Sequence, residues 1–293
     1  MVLALVTALL VPAAAMAQLQ AQVFRMGVLA LYPPGPPRDA HDAVLSQLQN
    51  LGYIVGKNLV VEMRHANFQA ERLPELAEEL VRAKVDVILA VANLPGFAAK
   101  NASTTIPIVV WGMHGAVESG LVRSLARPGG NVTGVESLAP ELDAKRLEVL
   151  KEIVPGLARL GVLYNADDQV SQVHLASARA ASRALGVTLL SLPVRRPADF
   201  DAALSGAGNE RIDGLLMFTD PLTGRHWRKV AEFALKNRLP TVCEFRFLAQ
   251  FGCLVSYGPP FEELHERAAM QVDRILKGAR PSDLPVEQIT RFE

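Results

Sequence analysis

Residues 106–135 have the sequence IPIVVWGMHGAVESGLVRSLARPGGNVTGV, and this stretch decides the architecture that we predict for the chain. It begins with an apolar run up to Trp111 that is rich in β-branched residues and too short for a helix, which indicates a buried strand. A helical segment is predicted next, because Leu121, Val122 and Leu125 are spaced to share one buried face. A Pro-Gly-Gly break ends this helix. One more short strand follows, and the chain then begins a second copy of the preceding pattern.

The rest of the chain alternates short apolar strands with amphipathic helices. The predicted strands are residues 26–31, 59–63, 85–92, 106–111, 132–135, 160–164, 187–192, 212–218, 240–243 and 253–256. The predicted helices are residues 39–51, 70–83, 142–154, 171–185, 198–207, 222–236 and 261–277, with a short one that begins near Pro95. This alternation indicates parallel sheets that are covered by helices on both faces.

The order of these elements repeats along the chain at an offset of about 130 residues. MGVLAL at Met26 corresponds to LGVLYN at Leu160, and IPIVVW at Ile106 corresponds to LPTVCE at Leu239. We therefore predict an α/β fold of two similar, doubly wound parallel-sheet lobes that are joined by a hinge. The predicted lobe boundaries are 23–140 plus 259–279 for the first lobe and 141–258 plus 280–293 for the second.

Residues 1–17 are predicted to be a signal peptide. A continuous apolar run is followed by Pro12 and by Ala15-Met16-Ala17, which has the small-x-small form of a signal-peptidase site. The run is shorter than the ~20 apolar residues of a membrane span. It departs from the usual pattern in one respect, because no Lys or Arg precedes it. We expect an exported, soluble protein of the periplasm whose mature chain begins at Gln18.

The composition argues against several classes of function. The 30 basic and 30 acidic side chains give no net charge, which is atypical of a protein that binds nucleic acid or an anionic membrane. The sequence has no zinc-protease, P-loop, nucleophile-elbow or complete dinucleotide-binding motif, and its six histidines lack metal-ligand spacing. It therefore predicts a protein that is not an enzyme and that uses neither a metal nor a cofactor.

Cys243 and Cys253 are the two cysteines of the chain. An exported protein can keep a disulfide between them. Nothing in the sequence fixes the geometry of the pair, so we prefer two small, unpaired, buried residues in neighbouring strands.

Two alternatives come from other classes of protein. A racemase with two similar domains needs one catalytic thiol from each lobe, whereas both cysteines fall in the predicted second lobe. The ligand-binding sensor domain of a signalling system shares the fold type. A repressor of that type would need a DNA-binding helix pair ahead of the first lobe, where the apolar N-terminal segment stands.

The candidate ligand site follows from the predicted sheets. Ligands of open parallel sheets bind beyond the carboxyl ends of the strands, where helix N-termini point their N–H groups outward. The residues just past these ends are Tyr32, Asn93, Leu94, Pro95, Trp111 and His114 in the first lobe, and Asn165, Thr219, Asp220 and Glu244 in the second. Aromatic rings, amides and carboxylates together suit a small organic molecule with an apolar body and a cationic or hydroxyl group. A carboxylate on that ligand could rest on the helix that begins near Pro95.

Each of these residues also has a purely structural interpretation. Asp220 stands before a proline and could only cap the next helix, and Trp111 could belong to the core. The two asparagines could be turn residues, and His114 is expected to be a solvated loop residue. Glu244 could pair locally with Arg246. The prediction of a site therefore depends on the shared placement of the residues and not on any one of them.

With these residues considered, the chain resembles the exported substrate-binding proteins of ABC-type importers, specifically the group related to tryptophan- and aromatic-amino-acid-binding proteins. The resemblance runs from Met26 to the C-terminus. It is carried by LGYIVGKNLVVEMRHA at Leu51, LAEELVRAKVDVILAVAN at Leu76, SGLVRSLARPGGNVTGV at Ser119, KRLEVLKEIVPGLARLGVLYN at Lys145 and ILKGARPSDLPVE at Ile275. It implies a periplasmic-binding fold of the first type, hinge closure on a small-molecule ligand and delivery to an ABC permease at the inner membrane. We expect the receptor to be a monomer.

The resemblance also implies roles for individual residues. Residues 93–95 match the loop of the family that contacts the ligand, Asp220 matches an acidic contact, and Asn165 matches a contact from the second lobe. The chain departs from the family pattern at residues 93–95, where the family often has Ala-Thr-Pro, and at His114-Gly115, where it often has Asp-Pro. These departures extend the predicted ligands from amino acids to aromatic or other small carboxylic acids.

Both ends of the chain carry expectations as well. No lipobox cysteine lies near Ala17, which implies a soluble periplasmic form and not a lipoprotein. Members of the family usually continue past the position of Glu293 with another strand and helix. We therefore expect the last crossing between the lobes to be incomplete.

Overall fold

A computed structural model describes residues 22–34, 40–138 and 141–293 of the chain. The predicted signal peptide lies outside the described residues. The strands form two separate parallel sheets, one in each lobe.

The first lobe is built on a six-stranded parallel sheet with the order β11-β5-β4-β3-β1-β2. Its strands are β1 (Phe24–Ala30), β2 (Leu59–His65), β3 (Val87–Val91), β4 (Ile108–His114), β5 (Val132–Leu138) and β11 (Glu287–Gln288). Its helices are α1 (Ala40–Asn50), α2 (Leu73–Arg82) and α3 (Asn93–Ala102). All five residues of the central strand β3 are apolar and buried, as expected for a strand that helices cover on both faces.

The second lobe has a five-stranded parallel sheet with the order β10-β9-β8-β6-β7. Its strands are β6 (Arg159–Asn165), β7 (Thr188–Val194), β8 (Gly214–Met217), β9 (Thr241–Cys243) and β10 (Val255–Ser256). Its helices are α4 (Glu141–Ile153), α5 (Gln169–Ala184), α6 (Phe200–Asn209), α7 (Pro221–Arg225) and α8 (Trp227–Lys236). With the extra edge strand β11 of the first sheet left aside and the strands counted from the start of each lobe, both sheets have the strand order fifth, fourth, third, first, second. The predicted fold class, two similar doubly wound lobes, is therefore confirmed.

The last helix, α9 (Phe261–Leu276), returns to the first lobe and packs against α1 and against strands β4 and β5. Tyr53 follows α1, and its hydroxyl donates a hydrogen bond to Asp273 of α9 at 2.9 Å. Beyond α9 the chain adds β11 to the edge of the first sheet beside β5, with Glu287 opposite Val135. The assignment of residues 280–293 to the second lobe is therefore wrong for this strand. No strand pattern is visible at these residues, because the pairing covers only two of them.

The helix predicted after Trp111 is absent. Turns and bends occupy residues 115–131 instead, and Gly115 and Gly120 adopt left-handed φ angles of 53° and 77°. Leu121 and Val122 are nevertheless buried in the core of the first lobe. The apolar spacing of these two residues predicted their burial correctly. A continuous helix cannot form there, because the positive φ angles of the glycines are incompatible with it.

The predicted pair of free thiols is also wrong, because Cys243 and Cys253 form a disulfide with a Cα–Cα distance of 6.3 Å. Cys243 ends β9, and Cys253 lies two residues before the neighbouring strand β10. The pairing of these two strands brings the cysteines together. Among the described residues, no helix is both long enough and apolar enough to cross a membrane.

Candidate functional site

The carboxyl ends of both sheets face each other across a cleft. A cavity of about 350 Å³ in this cleft is lined by both lobes, and a second cavity of about 30 Å³ adjoins it. The two cavities share Ala92, His114, Thr219 and Asp220 as lining residues. We call them the large cavity and the acidic pocket.

The lobes also contact each other at the edge of the cleft. Arg225 of α7 donates a hydrogen bond to the carbonyl oxygen of Pro33 at 2.8 Å. Its guanidinium group lies over the ring of Tyr32, 4.4 Å from the ring centroid. The rings of His114 and His174, one from each lobe, are 5.7 Å apart. The cleft is therefore closed by direct contacts between the lobes.

The large cavity has an aromatic wall, which we define as Trp111, Phe245, Phe247 and Phe261. Phe261 lies at its centre, with ring centroids 5.6 Å from Trp111, 4.8 Å from Phe245 and 4.7 Å from Phe247. The ring of Trp111 also stacks on His265 at 5.2 Å. The indole Nε1–H of Trp111 has no hydrogen-bond partner among the described residues. A flat apolar group can pack against this wall, and the indole can donate one hydrogen bond to a polar atom of the same ligand.

The acidic pocket is lined by residues at the ends of strands and the beginnings of helices. They are Ala92, Asn93, Leu94, Pro95, His114, Asp168, Val170, Ser171, His174, Phe218, Thr219, Asp220 and Glu244. Glu244 is only 1% exposed, and its Oε2 atom has no hydrogen-bond partner among the described residues. The hydroxyl of Thr219 also lacks a partner at hydrogen-bonding geometry, although it lies near enough to Glu244 to oppose the rise in the pKa of this carboxyl group weakly. A buried carboxylate oxygen without a donor is costly unless a ligand supplies one.

A buried network of charges lies behind Glu244. Arg146 is completely buried, and its Nη1 atom donates to Asp143 at 2.7 Å and lies 3.6 Å from Oε1 of Glu244. Its Nε atom donates to the carbonyl oxygen of Tyr257 at 2.8 Å. His174 contacts the second oxygen of Asp143. The network therefore places a positive charge beside one oxygen of Glu244 and leaves the other oxygen without a hydrogen-bond donor among the described residues.

The titration of these groups follows from their burial. Burial raises the pKa of Glu244, although the charge of Arg146 opposes the shift. Burial opposes the charged form of His174, but the hydrogen bond with Asp143 and the negative charges of Asp143 and Glu244 together outweigh it, so the pKa of His174 is raised. His114 differs, because burial and the neighbouring His174 lower its pKa to about 3. His114 is thus a neutral histidine at the end of β4, and the expectation of a solvated loop residue is wrong.

Asp220 both caps a helix and lines the cleft. Its carboxylate accepts hydrogen bonds from the backbone N–H of Thr223 at 2.7 Å and from Nδ2 of Asn165 at 2.5 Å. Burial raises its pKa to about 6, and the hydrogen bonds only partly offset the shift. The structural interpretation of Asp220 as a cap is therefore correct, but it does not exclude contact with a ligand, since Asp220 lines both cavities.

The N-terminus of α3 forms another side of the acidic pocket. Asn93 is the first residue of this helix, and its side-chain amide makes two hydrogen bonds with the backbone of His114, at 2.7 and 3.1 Å. Ala92, which precedes it, has the backbone angles φ 71° and ψ 179°, a conformation that costs free energy for any residue with a Cβ atom. The two bonds of Asn93 offset this cost. Asn93 thus positions the helix N-terminus, where anions are favoured, next to Leu94 and Pro95.

Most of the residues that the sequence singled out lie together. Tyr32, Asn93, Leu94, Pro95, Trp111, Thr219, Asp220 and Glu244 all line one of the two cavities. Asn165 lines neither and lies behind Asp220 as its hydrogen-bond donor. Glu244 pairs with Arg146 and not with Arg246, which pairs with Glu293 instead. Whether these residues bind a ligand stays a prediction.

Other lining residues had no place in the sequence-based site. They include Arg225, Phe245, Phe247, Phe251, Phe261 and His174. Three of the phenylalanines stand in EFRFLAQF, directly after a predicted strand, and the rule of strand ends could have included them. Phe261 follows the crossing back to the first lobe, and no local signal places it in the cleft.

Comparison with known proteins identifies similar chains. The family described as "ABC transporter substrate binding protein" matches residues 35–293. A tyrosine-binding protein of Clostridioides difficile is 27% identical over 254 residues, which cover 87% of this chain and 73% of that protein. The structure of a conserved domain protein from Vibrio cholerae is similar with a TM-score of 0.84 at 24% identity, covering 93% of this chain and 91% of that one. The structure of an ABC domain in complex with L-Trp from Streptococcus pneumonia is similar with a TM-score of 0.81 at 20% identity, covering 91% and 89%.

Proposed function

Because the chain belongs to the family of ABC transporter substrate-binding proteins, we propose that it binds one aromatic amino acid between its lobes and presents it to an ABC permease. The members of this family are binding proteins and not enzymes, so a tandem-domain racemase is ruled out as a description of this chain. The sensor domain of a signalling system remains the alternative from another class. It would bind the same kind of ligand without a permease.

One observation carries the proposal. The aromatic wall and the acidic pocket are parts of one cleft, and buried Glu244 lines the pocket with a carboxylate whose Oε2 atom has no hydrogen-bond donor among the described residues. The pocket, with about 30 Å³, has room for one or two water-sized groups. An ammonium group has this size, carries three donors and would give Glu244 the partner that it lacks. The ring attached to the same ligand would lie against the wall.

The ligand carboxylate has a place in this arrangement as well. The N-terminus of α3 lies at the acidic pocket through Leu94 and Pro95, and helix N-termini favour anions. An α-amino acid would place its ammonium group at Glu244 and its carboxylate at α3. The large cavity, with about 350 Å³, then receives the side chain and is within the range of small-molecule sites.

The relatives support an aromatic side chain. The similar protein of Clostridioides difficile is a tyrosine-binding protein, and the similar structure from Streptococcus pneumonia holds L-Trp. An aromatic carboxylic acid without an amino group is the second candidate. It is favoured by Arg225, which is the one Lys or Arg side chain among the described residues that line the large cavity.

The cellular role is part of the same proposal. The apolar N-terminal segment with its Ala-Met-Ala site supports export to the periplasm, and the family supports a permease as partner. The absence of net charge gives no support to a nucleic acid partner. We propose that the receptor acts as a monomer, since both halves of the cleft come from one chain.

Calorimetry with matched ligands tests the ligand class. L-tyrosine, L-tryptophan and L-phenylalanine are compared with 3-phenylpropanoate, which lacks the ammonium group, and with phenethylamine, which lacks the carboxylate. We expect micromolar or tighter binding of at least one amino acid and at least tenfold weaker binding of both truncated ligands. Tight binding of 3-phenylpropanoate would favour the second candidate instead. Equal affinity for L-leucine, or no binding by any of the compounds, would reject an aromatic amino acid as ligand.

A further inference from the structure

We infer that the Cys243–Cys253 disulfide positions the ligand-binding loop, so that ligand affinity and the preference for aromatic ligands depend on this bond. The inference rests on the proposed function, because it concerns the same cleft. Cys243 and Cys253 are positioning residues in this proposal and do not touch the ligand themselves.

The disulfide encloses a short segment with many cleft residues. We call residues 244–252, between the two cysteines, the bracketed loop. Glu244 of this loop lines the acidic pocket, and the large cavity is lined by Phe245, Phe247, Gln250 and Phe251. Both halves of the proposed site, the carboxylate and much of the aromatic wall, therefore depend on the conformation of nine consecutive residues.

Apart from the disulfide, a short stretch of strand pairing holds the ends of the bracketed loop together, with Leu254 N–H donating to the Thr241 carbonyl oxygen at 3.2 Å and Tyr257 N–H to the Cys243 carbonyl oxygen at 3.0 Å. Strand β10 has only two residues, lies at the edge of the second sheet, and pairs only with β9 among the described strands. Within the loop, the backbone hydrogen bonds are local: the N–H of Leu248 donates to the Phe245 carbonyl oxygen and the N–H of Gly252 to the Ala249 carbonyl oxygen, both at 3.0 Å. An edge pair of this length is weak by itself, because two strands need more ladder bonds or a covered face for stability. The covalent bond is the strongest connection between the two ends.

The loop also reaches across the cleft. Phe245 and Phe247 contact Phe261, which belongs to α9 and hence to the first lobe, at ring-centroid distances of 4.8 and 4.7 Å. Glu244 holds its place beside Arg146 at 3.6 Å. If the bond is absent, the loop gains conformational freedom, and ligand binding must then order it at a cost in affinity. The aromatic contacts depend most on the loop, so the loss should be larger for aromatic ligands than for aliphatic ones.

The test compares three proteins by calorimetry with L-tyrosine, L-tryptophan and L-leucine as probes. The Cys243→Ala/Cys253→Ala variant removes the bond. Val230→Ala is the matched control, because Val230 of α8 is fully buried in the same core cluster as both cysteines but lies outside the loop. We expect at least a tenfold loss of affinity for the aromatic probe and a smaller loss for L-leucine in the cysteine variant. In Val230→Ala we expect a lower melting temperature with unchanged affinities. Equal affinities in the cysteine variant and wild type would overturn the inference.

Reduction gives a second test in the wild-type chain. Dithiothreitol transfers two electrons and two protons to the pair, which leaves two thiols and a cyclic disulfide of the reagent. Alkylation and intact mass count the thiols, and the cysteine variant controls for other effects of the reagent. We expect the affinity to fall only in the wild type.

Hydrogen exchange separates this inference from the proposed function. Reduction should increase amide exchange in residues 244–252 and leave β6, an inner strand of the same sheet, protected, whatever the ligand is. If the oxidised protein binds none of the probes, the proposed function fails, but the exchange measurement still decides whether the bond orders the loop. Unchanged exchange in residues 244–252 after reduction would overturn the inference.

Discussion

Replacement of Glu244 by glutamine is the sharpest test of the proposed site. Glutamine has nearly the same shape as glutamate, so Glu244→Gln removes the charge of the side chain without creating a cavity. If Oε2 accepts a hydrogen bond from the ligand ammonium group, the variant loses one bond between charged groups, which is worth about 1.5–3 kcal/mol. Since 1.36 kcal/mol corresponds to a factor of ten, the dissociation constant for L-tyrosine should rise roughly 10- to 150-fold.

The stability of the ligand-free protein should change much less. Arg146 keeps Asp143 as a partner at 2.7 Å, so the variant does not leave an isolated buried charge. Burial already disfavours the ionised form of Glu244, as its raised pKa indicates. We therefore expect the free energy of unfolding to stay within about 1 kcal/mol of the wild type, or roughly 2–4 °C in melting temperature.

The assay is calorimetry with a pair of ligands, L-tyrosine and its deaminated counterpart 3-(4-hydroxyphenyl)propanoate. The change in binding free energy on Glu244→Gln should be large for the amino acid and close to zero for the deaminated acid. The difference between the two is the interaction energy of Glu244 with the ammonium group. Equal losses for both ligands would show that Glu244 acts through the structure of the cleft, and no loss for either would refute the assignment.

Three further predictions concern other parts of the cleft and the first lobe. The pKa of Asp220 is raised to about 6, so this carboxyl group holds a proton more tightly in the folded state than in the unfolded chain. The stability that protonated Asp220 contributes is therefore complete below about pH 4 and is lost as the pH rises through 6. Asp220→Asn should flatten this part of a plot of unfolding free energy against pH. The affinity of the wild type for an amino acid should fall from pH 7 to pH 5, because Asp220 becomes protonated. Stability plots that coincide for the variant and the wild type would contradict the prediction. Arg225→Met removes the 2.8 Å bond to Pro33, and small-angle scattering should then show a larger radius of gyration with ligand than the wild type has; identical radii would show that this contact does not hold the lobes. Tyr53→Phe removes the hydrogen bond to Asp273 and should lower the free energy of unfolding by about 0.5–1.5 kcal/mol in urea titrations, whereas no change would indicate that water replaces the bond.

The strand-end residues of the site were predictable for a simple reason. The carboxyl ends of parallel strands converge at one edge of a sheet, so Tyr32, Trp111, Thr219 and Glu244 can be found by counting to the end of each apolar run. The same rule could not reveal that Asn165 lies behind Asp220. Asn165 ends β6 and Asp220 follows β8, and only the lining of the cavities shows that Asp220 faces the cleft while Asn165 supports it by a hydrogen bond.

The helix expected after Trp111 shows the limit of local patterns. The spacing of Leu121 and Val122 was read as a helical face, yet both residues are buried from within turns. Apolar spacing reports which side chains avoid water, and several backbone paths can satisfy it. The positive φ angles of Gly115 and Gly120 decided the path.

The amino-acid sequence by itself determined the two-lobed parallel architecture, because hydrophobic periodicity is local and its repetition along the chain requires a repeated fold. Only the tertiary structure decided which side chains line the cleft and which contacts hold them in place. Phe261 meets Phe245 from the other lobe, Arg146 meets Glu244 from almost a hundred residues away, and Cys243 at the end of β9 bonds to Cys253 just before the edge strand β10. Such contacts depend on how helices and lobes pack after the sheets have formed. No local spacing in the sequence encodes them.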